Sequence, residues 1–163
     1  MLEENCHKKL LVLGIGNILC GDDGIGPILA ERLLPLYREN KQVDILNGGT
    51  IGLGLLYLFE NYDHVLFLDA VDVGAQPGTV FKYTLEDLET IRSEKMLSSH
   101  QSDPFKLALY AETIGCLPKN VAVLGIQIGA VRPEIGLSES LQSNMVSIEK
   151  EIINQMMYIL KHA

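Results

Sequence analysis

Asp22, Asp23, Asp69 and His100 are the residues of this sequence whose types and spacing could do metal chemistry. Carboxylates and an imidazole that leave a coordination position open suit a divalent transition metal, because imidazole nitrogen draws such ions more than oxygen donors alone do. Each residue also has an ordinary use. Asp22 or Asp23 can cap the helix that follows, and His100, after Ser98 and Ser99, can sit solvated in a polar loop. Asp69 is harder to place in that way, since an ionised carboxylate ending an apolar strand needs a partner or water. His7, His64 and His162 have no comparable acidic setting.

Other chemistries fit less well. Cys20 with His100 as its base would make a thiol nucleophile, but a free cysteine in a turn is more often small, buried and inert. No G-x-S-x-G elbow is present, and Ser98 and Ser99 have no second histidine to activate them. The turn Gly14-Ile15-Gly16-Asn17-Ile18-Leu19 has Leu19 where a dinucleotide fingerprint needs its third glycine. Asn47, not an acid, ends the second strand where a ribose would be held. Gly14 and Gly16 then serve to turn the backbone sharply. Gly48 and Gly49 would do the same after strand two, opening a groove where an extended peptide can meet backbone groups.

These residues need elements to position them. Short apolar runs alternate with helical periodicity, as in a parallel α/β sheet. Strands are expected over residues 9–14, 42–46, 64–70, 79–84 and 121–128, the fourth near an edge. Helices are expected over about 24–39, 53–60, 103–114 and from Ser138 onwards. The first should bury Ile25, Leu29, Leu33 and Leu36, with Pro27 in its first turn, and Ser138 suits an N-cap for the last. Leu141, Met145, Ile148, Ile152, Met156 and Ile159 mark one apolar stripe along that final helix. The expected fold is a three-layer α/β sandwich, a mostly parallel five-stranded twisted sheet with helices on both faces, in a single domain over residues 1–163. Ligands bind beyond the carboxyl ends of such strands, where strand order reverses. In the common order 2-1-3-4-5, strands one and three meet there, bringing Asp22-Asp23 and Asp69 to one edge, with His100 in a loop returning to it.

Composition narrows the classes of function. The 163 residues are 47% hydrophobic and 21% charged, which excludes a disordered chain. A formal charge of −8 repels phosphate backbones and anionic lipid, so neither nucleic acid nor membrane is an expected partner. Cys6, Cys20 and Cys116 form an odd set without C-x-x-C spacing, which suits a reducing compartment. The apolar run at 10–13 is too short for a signal peptide, and none reaches the eighteen or so residues of a membrane span. A cytoplasmic protein is expected.

The segments G-I-G-N-I-L-C-G-D-D-G-I-G at 14–26, N-G-G-T at 47–50, D-A at 69–70 and S-H-Q at 99–101 together resemble the nickel–iron hydrogenase maturation endopeptidases. The similarity extends over nearly the whole chain and its order of elements. It implies an endopeptidase that removes a C-terminal extension from the hydrogenase large-subunit precursor after nickel insertion. Carried over by motif position, it implies Asp23, Asp69 and His100 as metal-contacting residues, with Asp22 or Asp23 assisting proton transfer. Gly48, Gly49 and Thr50 fall in the substrate-contacting motif, and the nickel would arrive with the precursor. Many members carry an acid before G-G-T, whereas this chain has Asn47, which bears on substrate preference. Two other classes stay open: an acidic-residue peptidase of the same fold that needs no nickel, and a non-enzymatic nickel chaperone.

Overall fold

The computed structural model describes residues 8–87 and 103–163. Its elements run β1 (Lys8–Ile15), a 3-10 turn (Gly21–Gly24), α1 (Ile25–Tyr37), β2 (Val43–Gly49), a 3-10 helix (Gly52–Asn61), β3 (Tyr62–Val71), β4 (Val80–Thr84), α2 (Pro104–Ile114), β5 (Asn120–Gln127) and α3 (Glu139–His162). The strands form one sheet in the order β2-β1-β3-β5-β4. β2, β1, β3 and β5 are parallel, and β4 pairs antiparallel with β5.

The α/β sandwich is as expected, with one correction to strand order. β5 inserts between β3 and β4, so the order is not 2-1-3-4-5. The burial of the strands supplies the reason. β5 is buried along most of its length and needs cover on both sides, whereas β4 is nowhere fully buried and tolerates the edge. The neighbours that matter for the site, β1 and β3, are unchanged.

Alternation along each inner strand divides the core into two layers. Leu10 and Val12 of β1, Leu66 and Leu68 of β3, and Leu124 and Ile126 of β5 face α1 and α3. Leu11 and Leu13, Val65 and Phe67, and Val121 and Val123 face the 3-10 helix and α2. α3 buries Leu141, Met145, Ile148, Ile152 and Met156, and Ser138 is its N-cap, accepting from the Leu141 N–H. Helix 53–60 is realised as the tighter 3-10 form over Gly52–Asn61. α1 buries Ile25, Leu29 and Leu33, but Leu36 is exposed. Tyr37, four residues after Leu33, packs against the core in its place at the end of the helix. Among the described residues, no helix is long and apolar enough to cross a membrane.

Candidate active site

The carboxyl ends of the parallel strands open onto one edge, and the loop after β1 is folded tightly over it. Gly16 has φ +133, and a Cβ there would lie 2.0 Å from the Asp23 carbonyl oxygen, so only glycine lets the chain return so closely. Gly26, at the start of α1, presses onto the β1–β3 seam. A Cβ on it would meet the Leu68 carbonyl oxygen at 2.2 Å and that of Ile15 at 2.3 Å. This contact does for helix–strand packing what the third glycine of a nucleotide fingerprint does. It also sets Asp23 beside the end of β3. The Asp23 carboxylate accepts from the Asn17 N–H at Oδ2 (2.8 Å).

Asp69 shares the face of Val65 and Phe67, the face that carries α2, because residues two apart in a strand point the same way. It is 8% exposed, and its Oδ1 accepts from the Ala70 N–H at 2.9 Å. Burial pushes its pKa up to about 8; the Ala70 hydrogen bond opposes the rise, while the negative charges of Asp23 and Asp103 add to it. Asp69 therefore holds a proton near neutrality. A cation against Asp69 would do what that proton does, which is to cancel a buried charge facing other carboxylates.

Asp103 is the carboxylate that sequence reasoning missed. It entered only as the start of a helix, yet it is buried beside Asp69. Its Oδ1 caps α2 by accepting from the Phe105 N–H at 2.9 Å. Its Oδ2 has no hydrogen-bond partner among the described residues. Burial raises its pKa, partly offset by the Phe105 N–H and by Lys106. The available signal was Asp103-Pro104, an N-cap followed by proline at the first helical position, which fixes where a helix begins but not what its cap faces.

Asp22 has a different character from Asp23. It is fully buried, and both oxygens are engaged. Oδ2 accepts from the Gly129 N–H (2.8 Å), the Ala130 N–H (2.9 Å) and the Ser138 hydroxyl (2.8 Å), and Oδ1 from the Ser138 N–H (2.6 Å). Burial alone would raise its pKa, but these bonds outweigh it and bring the pKa below the usual carboxylate value. Asp22 braces the loop after β5 and the start of α3.

His100, together with Ser98, Ser99 and Gln101, lies outside the described residues. Among the described residues, no group of three histidine, cysteine or acidic side chains is arranged to hold a metal ion. The structure thus brings together Asp23 and Asp69 of the expected set and adds Asp103. Gly48 is buried at the end of β2, Gly49 has φ +47, and its carbonyl accepts from the Gly16 N–H at 3.0 Å. Thr50 is exposed beyond them. The Asn47 amide donates to Glu31 of α1 at 2.9 Å. Cys20 is half-buried where the chain enters the 3-10 turn, and Cys116 is buried with its thiol toward the Leu56 carbonyl.

The profile of the hydrogenase maturation protease family matches residues 27–155. The chain belongs to that family. Among curated relatives, the hydrogenase 2 maturation protease of Escherichia coli is 33% identical over 136 residues, covering 83% of this chain and 82% of the relative. The hydrogenase expression/formation protein HupD of Rhodobacter capsulatus is 33% identical over 135 residues, or 78% of this chain and 64% of the relative. Across four HupD proteins, the alignments cover 59% to 64% of the relatives' own length. The structure of the hydrogenase maturating endopeptidase HybD of E. coli superposes with a TM-score of 0.77 at 28% identity, over 92% of this chain and 93% of that one. The alignments thus span less than two thirds of the length of these HupD relatives.

Proposed function

We propose that this chain is an endopeptidase that removes the C-terminal extension of a nickel–iron hydrogenase large-subunit precursor after nickel has been inserted. The observation that carries this reading is the pairing of Asp23 and Asp69 at the carboxyl edge of the sheet, in a hydrogenase maturation protease. Burial and the Asp23 charge oppose ionisation of Asp69, and a cation between the two can take the place of its proton where a neutral peptide cannot. The nickel is part of the substrate, so only a metal-loaded precursor satisfies the pair. Asp23 and Asp69 would contact it, with His100 as the third ligand implied by the motif. Carboxylates alone favour harder ions, and the imidazole turns the preference toward nickel. When bound, the nickel supplies Lewis-acid polarisation of the neighbouring scissile carbonyl.

The two adjacent aspartates divide their work. Asp23 assists proton transfer at the scissile bond, and Asp22, whose oxygens are both occupied, positions the loops. Gly48, Gly49 and Thr50 would take the extended peptide largely through backbone groups. The net charge of −8 disfavours nucleic acid and anionic membrane, and the unpaired Cys20 and Cys116 suit the cytoplasm. Purified precursor, with and without nickel, incubated with this protein tests the reading by the size of the large subunit. Shortening of the nickel-loaded form alone is expected. Shortening that survives chelation favours a peptidase that needs no nickel, and an intact precursor after long incubation favours a chaperone.

A further inference from the structure

Three loops surround the acidic edge, and each presents apolar side chains to solvent. Ile18 and Leu19 lie in the loop after β1, Ile51 and Leu53 at the turn into the 3-10 helix after β2, and Val131 and Ile135 in the loop after β5. All six are exposed, Ile135 at 82%. The loops are tied to one another rather than merely adjacent in the fold. Gly16 N–H donates to the Gly49 carbonyl, and Gly21 N–H to that of Glu134 (2.8 Å). The aspartates extend the same framework. Asp23 accepts from the Asn17 N–H, and the Asn17 side chain accepts from the Leu19 N–H, which holds Ile18 and Leu19 outward. Asp22 holds the segment from Gly129 to Ser138 that carries Val131 and Ile135.

Exposed apolar side chains gathered around a polar centre mark an interaction surface. We propose that these loops form a docking collar that grips an apolar protein segment flanking the nickel of the precursor. This rests on the peptidase reading above and adds how the substrate is held. Charge selects the occupant. The acidic centre, Asp23 beside Asp69, favours a cationic group inside an apolar surround, which a metal-bearing protein segment offers. A second copy docked collar to collar would set this acidic edge against itself, and anionic lipid or nucleic acid would meet the Asp23 charge and the net charge of −8. The collar supplies affinity and the carboxylates read the metal, so apolar contact and metal recognition are separable by mutation.

The test uses nickel-loaded precursor made uncleavable by proline at the scissile bond, with binding to this protein measured in solution. Leu19→Ser/Ile135→Ser and, separately, Ile51→Ser/Leu53→Ser should each raise Kd at least tenfold with an unchanged unfolding midpoint. Val146→Ser/Met157→Ser, on exposed positions of α3, should stay within twofold of wild type. Collar variants that bind like wild type, an equal weakening from the α3 variant, or no binding by wild type would each overturn the collar. Failure of the peptidase reading looks different: the cleavable precursor stays intact while collar-dependent binding persists.

Discussion

Asp22 and Ser138, 116 residues apart, are bonded twice, through the Ser138 N–H to Oδ1 at 2.6 Å and the Ser138 hydroxyl to Oδ2 at 2.8 Å. Ser138 also caps α3, so one buried carboxylate locks the first loop of the chain to its last helix. Asp22→Ala would orphan the Gly129, Ala130 and Ser138 donors together. A loss of about 3 kcal/mol or more is expected in urea unfolding. A loss below about 0.5 kcal/mol, with processing abolished, would instead return Asp22 to the chemistry.

The same carboxylate gives a pH signature. Its folded pKa lies below the ordinary 3.8, so its contribution is present above that pH and is lost as pH falls through the folded value. Asp22→Asn places an amide N–H against donors and should be less stable than wild type at neutral pH. The gap should narrow below pH 3.8, measured as unfolding midpoints of both proteins. A gap independent of pH would show that the charge of Asp22 is not what the donors hold.

Asp69→Asn separates stability from function. The wild-type carboxyl has a folded pKa of about 8, so it keeps its proton in the fold while ionising freely once unfolded, and stability is lost as pH rises from 3.8 to about 8. An asparagine can keep the Ala70 hydrogen bond without that cost. The variant should unfold at the same temperature as wild type or higher at pH 8, and process no precursor. A destabilised variant would mean that Asp69 is ionised and satisfied without substrate.

The stripe on α3 sets the scale for core contributions. Ile152→Ala should cost about 2–5 kcal/mol, and exposed Lys150→Ala within about 0.5 kcal/mol. Equal effects in chemical unfolding would show the face to be misassigned.

What was legible in the sequence follows from range. The apolar runs of β1 and β3 and the acids at their ends are local patterns, so Asp23 and Asp69 could be read together once those strands were neighbours. The exchange of β4 and β5 could not, because it depends on which strand gains more by being covered on both faces. Asp22 looked like a helix cap or a catalytic acid because its donors lie 107 to 116 residues away. Asp103 showed only its capping signal, while the neighbour that gives it meaning, Asp69, comes from another element. Leu36 kept the helical period, but Tyr37 covers the core at that end of α1.

The proposed activity is nickel-gated: cleavage of a precursor only when nickel is in place, through Asp23, Asp69 and His100. The most direct measurement follows large-subunit size with nickel-loaded and nickel-free precursor, using wild type, Asp69→Asn, His100→Ala and Cys20→Ala. Shortening of the loaded precursor is expected from wild type and Cys20→Ala, and none from the other two variants while their thermal transitions persist. Shortening of the nickel-free precursor, or wild-type rates from Asp69→Asn or His100→Ala, would contradict it.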